Sequence, residues 1–491
     1  MDSFTVLIIV GLIHCALFFF DTLFKSCSHY PYLYFLHNTG LQVEVFRLRW
    51  FTTVFNRFIQ KCGCWRPRLL DYWFTLGARC SLILLPVAVY IFIKTALGAW
   101  EKSSGSGDVK SSITLEPMIP GVNLPIGDIG YYIATLIICS VVHEFGHAVA
   151  AVREDVHISG IGVIILFILP VVYVHINTEQ YDSLHPKRQL LIICAGVWHN
   201  IVLALIGICM LTLLPILVYP FFDIGSGVAI CNIQQASPVL GPTGLRVGDK
   251  IVALNQCQVK DYDTWYYCIV STIQHQGPGY CVSSELVREH DESVSVKQLP
   301  GGVVECCSAN SPDHLCFEYI ETEGDMPELQ QHSCLPGRTV IESTEEMCTT
   351  SSDCSVDLHC LKPSLDNHTR LLRIKRENEK IVIFLGHPGE IYHTVQVSDF
   401  VPYLFIPSAV PEVIAQLCKY VSVFSAGLAV INIIPCFYFD GQYIIQAVSN
   451  IILASKVEHK SVRNAIALCI TICGTVFVFG NVLSVMLSSF L

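Results

Sequence analysis

The chain runs to 491 residues, of which 52% are hydrophobic and only 14% charged, with a mean hydropathy of +0.52. That balance excludes a soluble globular protein of this size and points to a polytopic α-helical membrane protein. The net charge of −11 is concentrated in one stretch, because residues 221–400 hold 25 acidic and 12 basic side chains while the rest of the chain is slightly basic.

Apolar runs of about 20 residues, enough for a hydrocarbon core about 30 Å thick, occupy 4–24, 73–100, 129–152, 189–222, 410–434 and 466–491 and predict about six spans. The first lacks a basic start and a small-residue cleavage site, so it reads as a span rather than a secretory signal. Residues 41–50 alternate apolar and polar with one change of phase after Val45, the periodicity of a strand with membrane-surface character. The surrounding stretch 25–72 carries Lys25, Arg47, Arg49, Arg57, Lys61, Arg66 and Arg68 against Glu44 and Asp71, which assigns it to the cytosol. Within it, Cys62 and Cys64 fit two reduced cytosolic thiols, with acylation or metal binding as the alternatives. Residues 101–112 form a Ser/Gly-rich linker, and Gly121 to Pro125 make a turn-rich approach to the third run.

The third run contains His143-Glu144-Phe145-Gly146-His147. Residues four apart on a helix share a face, so His143 and His147 can hold one metal ion while Glu144 beside them takes a proton from its water. HExxH alone is a weak pattern; inside an apolar span, where each such group is disfavoured, the three need a shared reason to be present. The run 156–176 is broken by Pro170 and glycines and reads as a re-entrant or interfacial piece. The fourth span carries Gly196-Val197-Trp198-His199-Asn200, whose small and polar residues suit close helix packing or, for Asn200, an amide aimed at a substrate carbonyl.

From about Gly225 the chain becomes soluble in character. Gly227-Val228-Ala229-Ile230, Ser237-Pro238 and Gly244-Leu245-Arg246-Val247-Gly248-Asp249-Lys250-Ile251-Val252 resemble a PDZ domain of membrane and periplasmic proteases, interrupted by a cysteine-rich segment at about 283–363 and closed by strands near 380–385 and 392–397. This insert holds 11 of the 23 cysteines and the sequon Asn367-His368-Thr369, both suited to an oxidising lumen, and its odd cysteine number leaves at least one thiol over. Counting crossings from the cytosolic stretch also puts the insert outside and the carboxyl end of the HEFGH helix near the cytosolic face.

The fifth run ends in Asn432-Ile433-Ile434-Pro435-Cys436-Phe437-Tyr438-Phe439-Asp440-Gly441. A carboxylate at a membrane helix end needs a partner, a proton or a metal. A catalytic zinc takes three protein ligands, and Asp440 is the best third ligand beside His143 and His147, with helix capping as its other reading. Lys456, His459, Lys460 and Arg463 make a second basic cytosolic loop.

Taken together, HEFGH in a span, Gly-x-x-x-Asn, a PDZ-like insert and Asn-x-x-Pro followed by Asp-Gly resemble the site-2 protease family of intramembrane zinc metalloproteases, over nearly the whole chain. Many relatives have Leu-Asp-Gly where Phe439-Asp440-Gly441 stands here. The resemblance implies one Zn2+ held by His143, His147 and Asp440, Glu144 as catalytic base, and Asn200 near the scissile carbonyl. It further implies four segments: 1–126 with the first two spans, 127–222 and 403–491 as the halves of the catalytic core, and 223–402 as the lumenal insert, glycosylated at Asn367. The implied partners are the lipid bilayer and membrane-anchored transcription factors of the sterol regulatory element-binding type, cut first in the lumen, with no direct nucleic acid contact. The implied setting is the Golgi or endoplasmic reticulum, in cholesterol metabolism and the unfolded protein response. Two other classes share part of the pattern: a ZIP-like zinc transporter, whose core has a further glutamate where Gly146 and Ala148 stand here, and an inactive PDZ-bearing scaffold.

Overall fold

The computed structural model of the chain describes residues 3–103, 125–241, 243–275, 277–298, 303–320, 332–344, 346–366, 368–377, 379–403 and 405–490. Most of the Ser/Gly linker and Asn367 of the sequon lie outside them. The chain divides into two compact units, residues 1–212 with 415–491 and residues 213–414.

Six helices in the described residues are long and apolar enough to cross a membrane. They are α1 (Ser3–Ser26), α2 (Pro67–Ser103), α3 (Ile129–Arg153), α4 (Pro186–Val218), α5 (Ala409–Ile433) and α7 (Lys460–Phe490), with the shorter α6 (Asp440–Ile452) between the last two. Each satisfies its own backbone groups, which is what a lipid environment demands. The fifth span therefore stops at Ile433, short of Asp440. Pro435 disfavours helix in the residue before it, the chain turns through Cys436 to Phe439, and Asp440 opens α6.

The two segments with strand or re-entrant character combine into one sheet. Strands β1 (Leu41–Glu44), β2 (Arg47–Thr52), β3 (Ile158–Leu166) and β4 (Leu169–Ile176) lie in the order β1-β2-β3-β4, antiparallel throughout. The change of phase after Val45 is a hairpin turn, with Glu44 opposite Arg47, and not a slip within one strand. Residues 156–176 are likewise a hairpin, Leu166 pairing with Leu169 across its turn. Pro170 lies in β4, an outer strand, where a missing N–H is tolerated. Ile165, Leu166, Leu169 and Val171 are exposed around that turn, so the tip is apolar.

Spans α3 and α5 are clasped by polar groups. Tyr420 donates to Asp128 (2.7 Å), its hydroxyl lies 3.3 Å from that of Tyr132, and Cys139 Sγ lies 3.0 Å from Ser425 Oγ. At the other end of α3, Arg188 pairs with buried Glu154 and Arg153 with Asp71. Ala78, Ala88, Ile193, Cys194, Val197, Ile433, Ile444 and Ala447 form the packed interior joining α2, α4, α5 and α6.

The other unit has two main sheets and, among its described residues, no membrane-length helix of its own. The larger runs Val382–Gly386, Arg370–Arg376, Lys250–Leu254, Val228–Ile233, Val395–Ser398, with Cys257–Gln258 beside Lys250–Leu254. Trp265, Ile230, Leu245, Ile251 and Ile374 fill its core. A five-stranded sheet built between Gly279 and Pro363 interrupts it in sequence. Disulfides join Cys257–Cys268, Cys281–Cys354, Cys306–Cys316, Cys307–Cys334 and Cys348–Cys360. The odd thiol is Cys231. Of the expected closing strands, 392–397 starts late because Pro388–Thr394 is helical, and the strand Arg370–Arg376 has no counterpart in the sequence reading.

Candidate metal centre

Helical spacing on α3 puts the rings of His143 and His147 at 4.7 Å between centroids, both buried. Their Nε2 atoms are 3.1 Å apart, and Asp440 Oδ2 lies 3.1 Å from the first and 3.3 Å from the second. Tetrahedral zinc, with bonds of about 2.0–2.1 Å, holds its donor atoms about 3.3 Å from one another. The three atoms thus form a triangle of the right size. Despite those distances, Asp440 Oδ2 makes no hydrogen bond of acceptable geometry. A buried carboxylate oxygen short of a donor and facing two imidazole nitrogens is a site that a cation completes.

Space for the ion is provided by Gly196 on α4. A Cβ there would come within 2.3 Å of His147 Nε2 and 2.8 Å of His143 Nε2, so any larger residue would intrude among the donor atoms. Gly441 serves the third ligand similarly, since a Cβ would lie 2.0 Å from the Ile434 carbonyl and push Asp440 off its turn. Phe437 N–H, bonded to Thr475 Oγ1 at 3.0 Å, ties that turn to α7.

Both imidazoles are held from behind. His147 Nδ1–H donates to the Ile192 carbonyl at 2.9 Å, which leaves Nε2 with its lone pair facing Asp440. His143 Nδ1 lies 3.2 Å from the fully buried Asn200 carboxamide, whose Oδ1 otherwise has no partner. Amide oxygen and nitrogen are told apart by their hydrogen bonds, and turning Oδ1 toward His143 satisfies the oxygen and the ring N–H together. Ile192, Gly196 and Asn200 are spaced four apart on α4, so one stripe of that helix backs the whole centre. Asn200, expected near a substrate carbonyl, has His143 as its neighbour.

Glu144 Oε2 accepts from the Val174 N–H at 2.9 Å. That N–H lies on the side of β4 away from β3, because β4 is the last strand of its sheet. The unpaired edge of the sheet therefore faces the carboxylate beside the metal ligands. Sequence reasoning found neither the Ile192 carbonyl nor the Val174 N–H, since backbone groups carry no residue-type signal. A second cluster with metal-ligand chemistry, Cys281, Cys348 and Cys354, is accounted for by two disulfides.

An HExxH pair on a membrane-length helix, closed by a carboxylate from another segment, is the donor set of a membrane-embedded metallohydrolase. Comparison with known proteins narrows the class: residues 131–476 match peptidase family M50, and the chain belongs to that family. It is similar to a membrane-bound transcription factor site-2 protease homolog of Arabidopsis thaliana, 24% identical over 448 residues, which span 80% of this chain and 83% of the relative. The protein is an intramembrane metalloprotease with multiple membrane-spanning helices.

Proposed function

We propose that the protein cuts membrane-anchored transcription factors within or near their transmembrane helices, after a first lumenal cut, and releases their cytosolic domains. The convergence of His143, His147 and Asp440 beside Glu144 carries this reading. Those three residues would hold one zinc ion. When bound, zinc supplies Lewis acidity for a peptide carbonyl and lowers the pKa of water from 15.7 to about 7. Glu144 takes the proton of the attacking water and returns it to the leaving amine. Asn200 keeps His143 in the tautomer and orientation that ligation needs.

A helical substrate hides its carbonyls in intrahelical bonds, so it must be extended before attack. Its backbone then pairs with the free edge of β4, as added strands do elsewhere. Residues 41–50 and 156–176 both supply strands that could offer such an edge, and the bond from Val174 to Glu144 supports the second. The insert at 223–402 is read as lumenal and PDZ-like, either excluding uncut substrates by bulk or capturing their new carboxyl ends. Residues 1–126, 127–222 and 403–491 complete the proposed organisation, in a Golgi or endoplasmic reticulum membrane with the active site toward the cytosol.

The test uses purified full-length protein in liposomes with a transmembrane substrate, comparing Glu144→Gln with the parent. Cleavage is expected to disappear while zinc stays at one per chain. Zinc flux without cleavage would replace this reading with a transporter, and cleavage undiminished in the variant would remove Glu144 as the base.

A further inference from the structure

His14 is a buried polar side chain in a span whose neighbours Leu12, Ile13 and Leu17 are exposed. Its Nε2–H donates to the carbonyl of Phe167 at 2.8 Å, and its ring stacks on that of Phe167 at 5.9 Å and 9°. Phe167 is the turn residue of the β3–β4 hairpin. Phe46, 6.4 Å from the same imidazole, holds the corresponding place in the β1–β2 hairpin. Both phenylalanines have a positive φ, 59° and 54°. A bulky side chain in that region is strained and persists only where its surroundings enforce it. The two turns are also tied to each other, Phe167 N–H donating to the Phe46 carbonyl at 3.1 Å. One imidazole of α1 thus grips both hairpin tips at once.

The grip matters because the tip is otherwise held from within the sheet, by the Phe46 carbonyl and by β2 pairing with β3 as far as Leu166, while His14 joins it to a span. Ile165, Leu166 and Leu169 are exposed, and among the described residues no other side chain hydrogen-bonds to 165–169. From Leu169, β4 runs five residues to Val174, about 17 Å at the rise of an extended chain, and there its free edge meets Glu144. Because β4 is paired with β3 along its length, the sheet tilts as one body, and fastening its tip to α1 and its edge to Glu144 sets its inclination to the spans.

We propose that His14 is a positioning residue for substrate. By fastening the hairpin tip to the first span, it sets the line of the β4 edge and so selects which peptide bond of an extended substrate is presented to the centre. The proposal rests on the reading that substrate pairs with β4.

The experiment compares parent, His14→Leu and His14→Gln in liposomes with a transmembrane substrate, following KM, kcat, the bonds cut, zinc content and amide exchange at 165–169. His14→Leu is expected to raise KM roughly three- to tenfold, the range for one lost hydrogen bond, and to spread cleavage onto neighbouring bonds, with zinc and kcat retained and exchange at the tip faster. His14→Gln, which can still donate to the Phe167 carbonyl, is expected to recover most of the KM and the original bond choice. Faster tip exchange with unchanged KM and bond choice would overturn the proposal, as would a glutamine variant no better than the leucine one. Should His14→Leu lose zinc, His14→Met, which fills the space of the ring but has no donor for the Phe167 carbonyl, carries the same expectations and the same refutation. A cysteine at His175 on β4 separates the two layers of the argument. Failure of the parent to cross-link there to a substrate cysteine refutes strand pairing itself, whereas cross-linking with unaltered KM and bond choice in His14→Leu refutes the anchor alone.

Discussion

The two units solve the same problem, holding distant parts of a chain together, by different physics. In the unit 213–414 ten of eleven cysteines are paired and the bridges close intervals of 10 to 73 residues, around a core led by Trp265 and Ile251. In the membrane unit all the cysteines are thiols, and the metal ligands, nearly 300 residues apart, meet through the Asp128–Tyr420 and Cys139–Ser425 contacts and the close approach at Gly196. Lipid offers no hydrophobic drive for helices to associate, so small residues and interhelical hydrogen bonds take that role. Water does offer it, but small β units gain further from cross-links that limit the unfolded chain. The membrane unit is therefore expected to be sensitive to single atoms near the helix contacts, and the disulfide-bonded unit to redox state.

Three perturbations would sharpen or break that contrast, in order of their effect on the centre. Gly196→Ala adds one carbon among the donor atoms and is expected to abolish zinc binding and lower cleavage by about 100-fold or more, read by metal analysis and turnover; a fully loaded, active variant would show that the helix contact yields. Asn200→Leu removes the support of His143 and is expected to weaken zinc about 10- to 100-fold, measured by competition with a chelator, while the folded unit remains intact. Replacing Cys281 and Cys354 by serine is expected to cost the disulfide-bonded unit about 4 kcal/mol, and replacing Cys306 and Cys316 about 3 kcal/mol, following loop length. Denaturant titration checks that difference. Zinc content should stay at the parent value in both, and its loss would mean the units are not energetically separate.

Much of this architecture is local enough to read in one dimension. Six apolar runs correspond to six membrane-length helices, and alternation at 41–50 to strands. Where the reading went astray, the missing information was non-local. The phase change after Val45 is a turn only because β2 has β1 and β3 to pair with, and Asp440 belongs to α6 because the chain turns back at Pro435. Arg370–Arg376 becomes a central strand because Val382–Gly386 and Lys250–Leu254 flank it.

By itself the sequence determined that His143 and His147 share a face with Glu144 beside them, because helix geometry depends only on spacing along the chain. It also determined that Asp440, a charge in apolar surroundings, required a partner. The sequence also offered the histidine pair as that partner, and the structure brings the three together; tertiary structure alone decided that Ile192 and Asn200 stand behind the two rings, and that the free edge of β4 points its Val174 N–H at Glu144. Distances between groups on separate helices, and the direction of a backbone N–H, are set by packing, and no residue type records them.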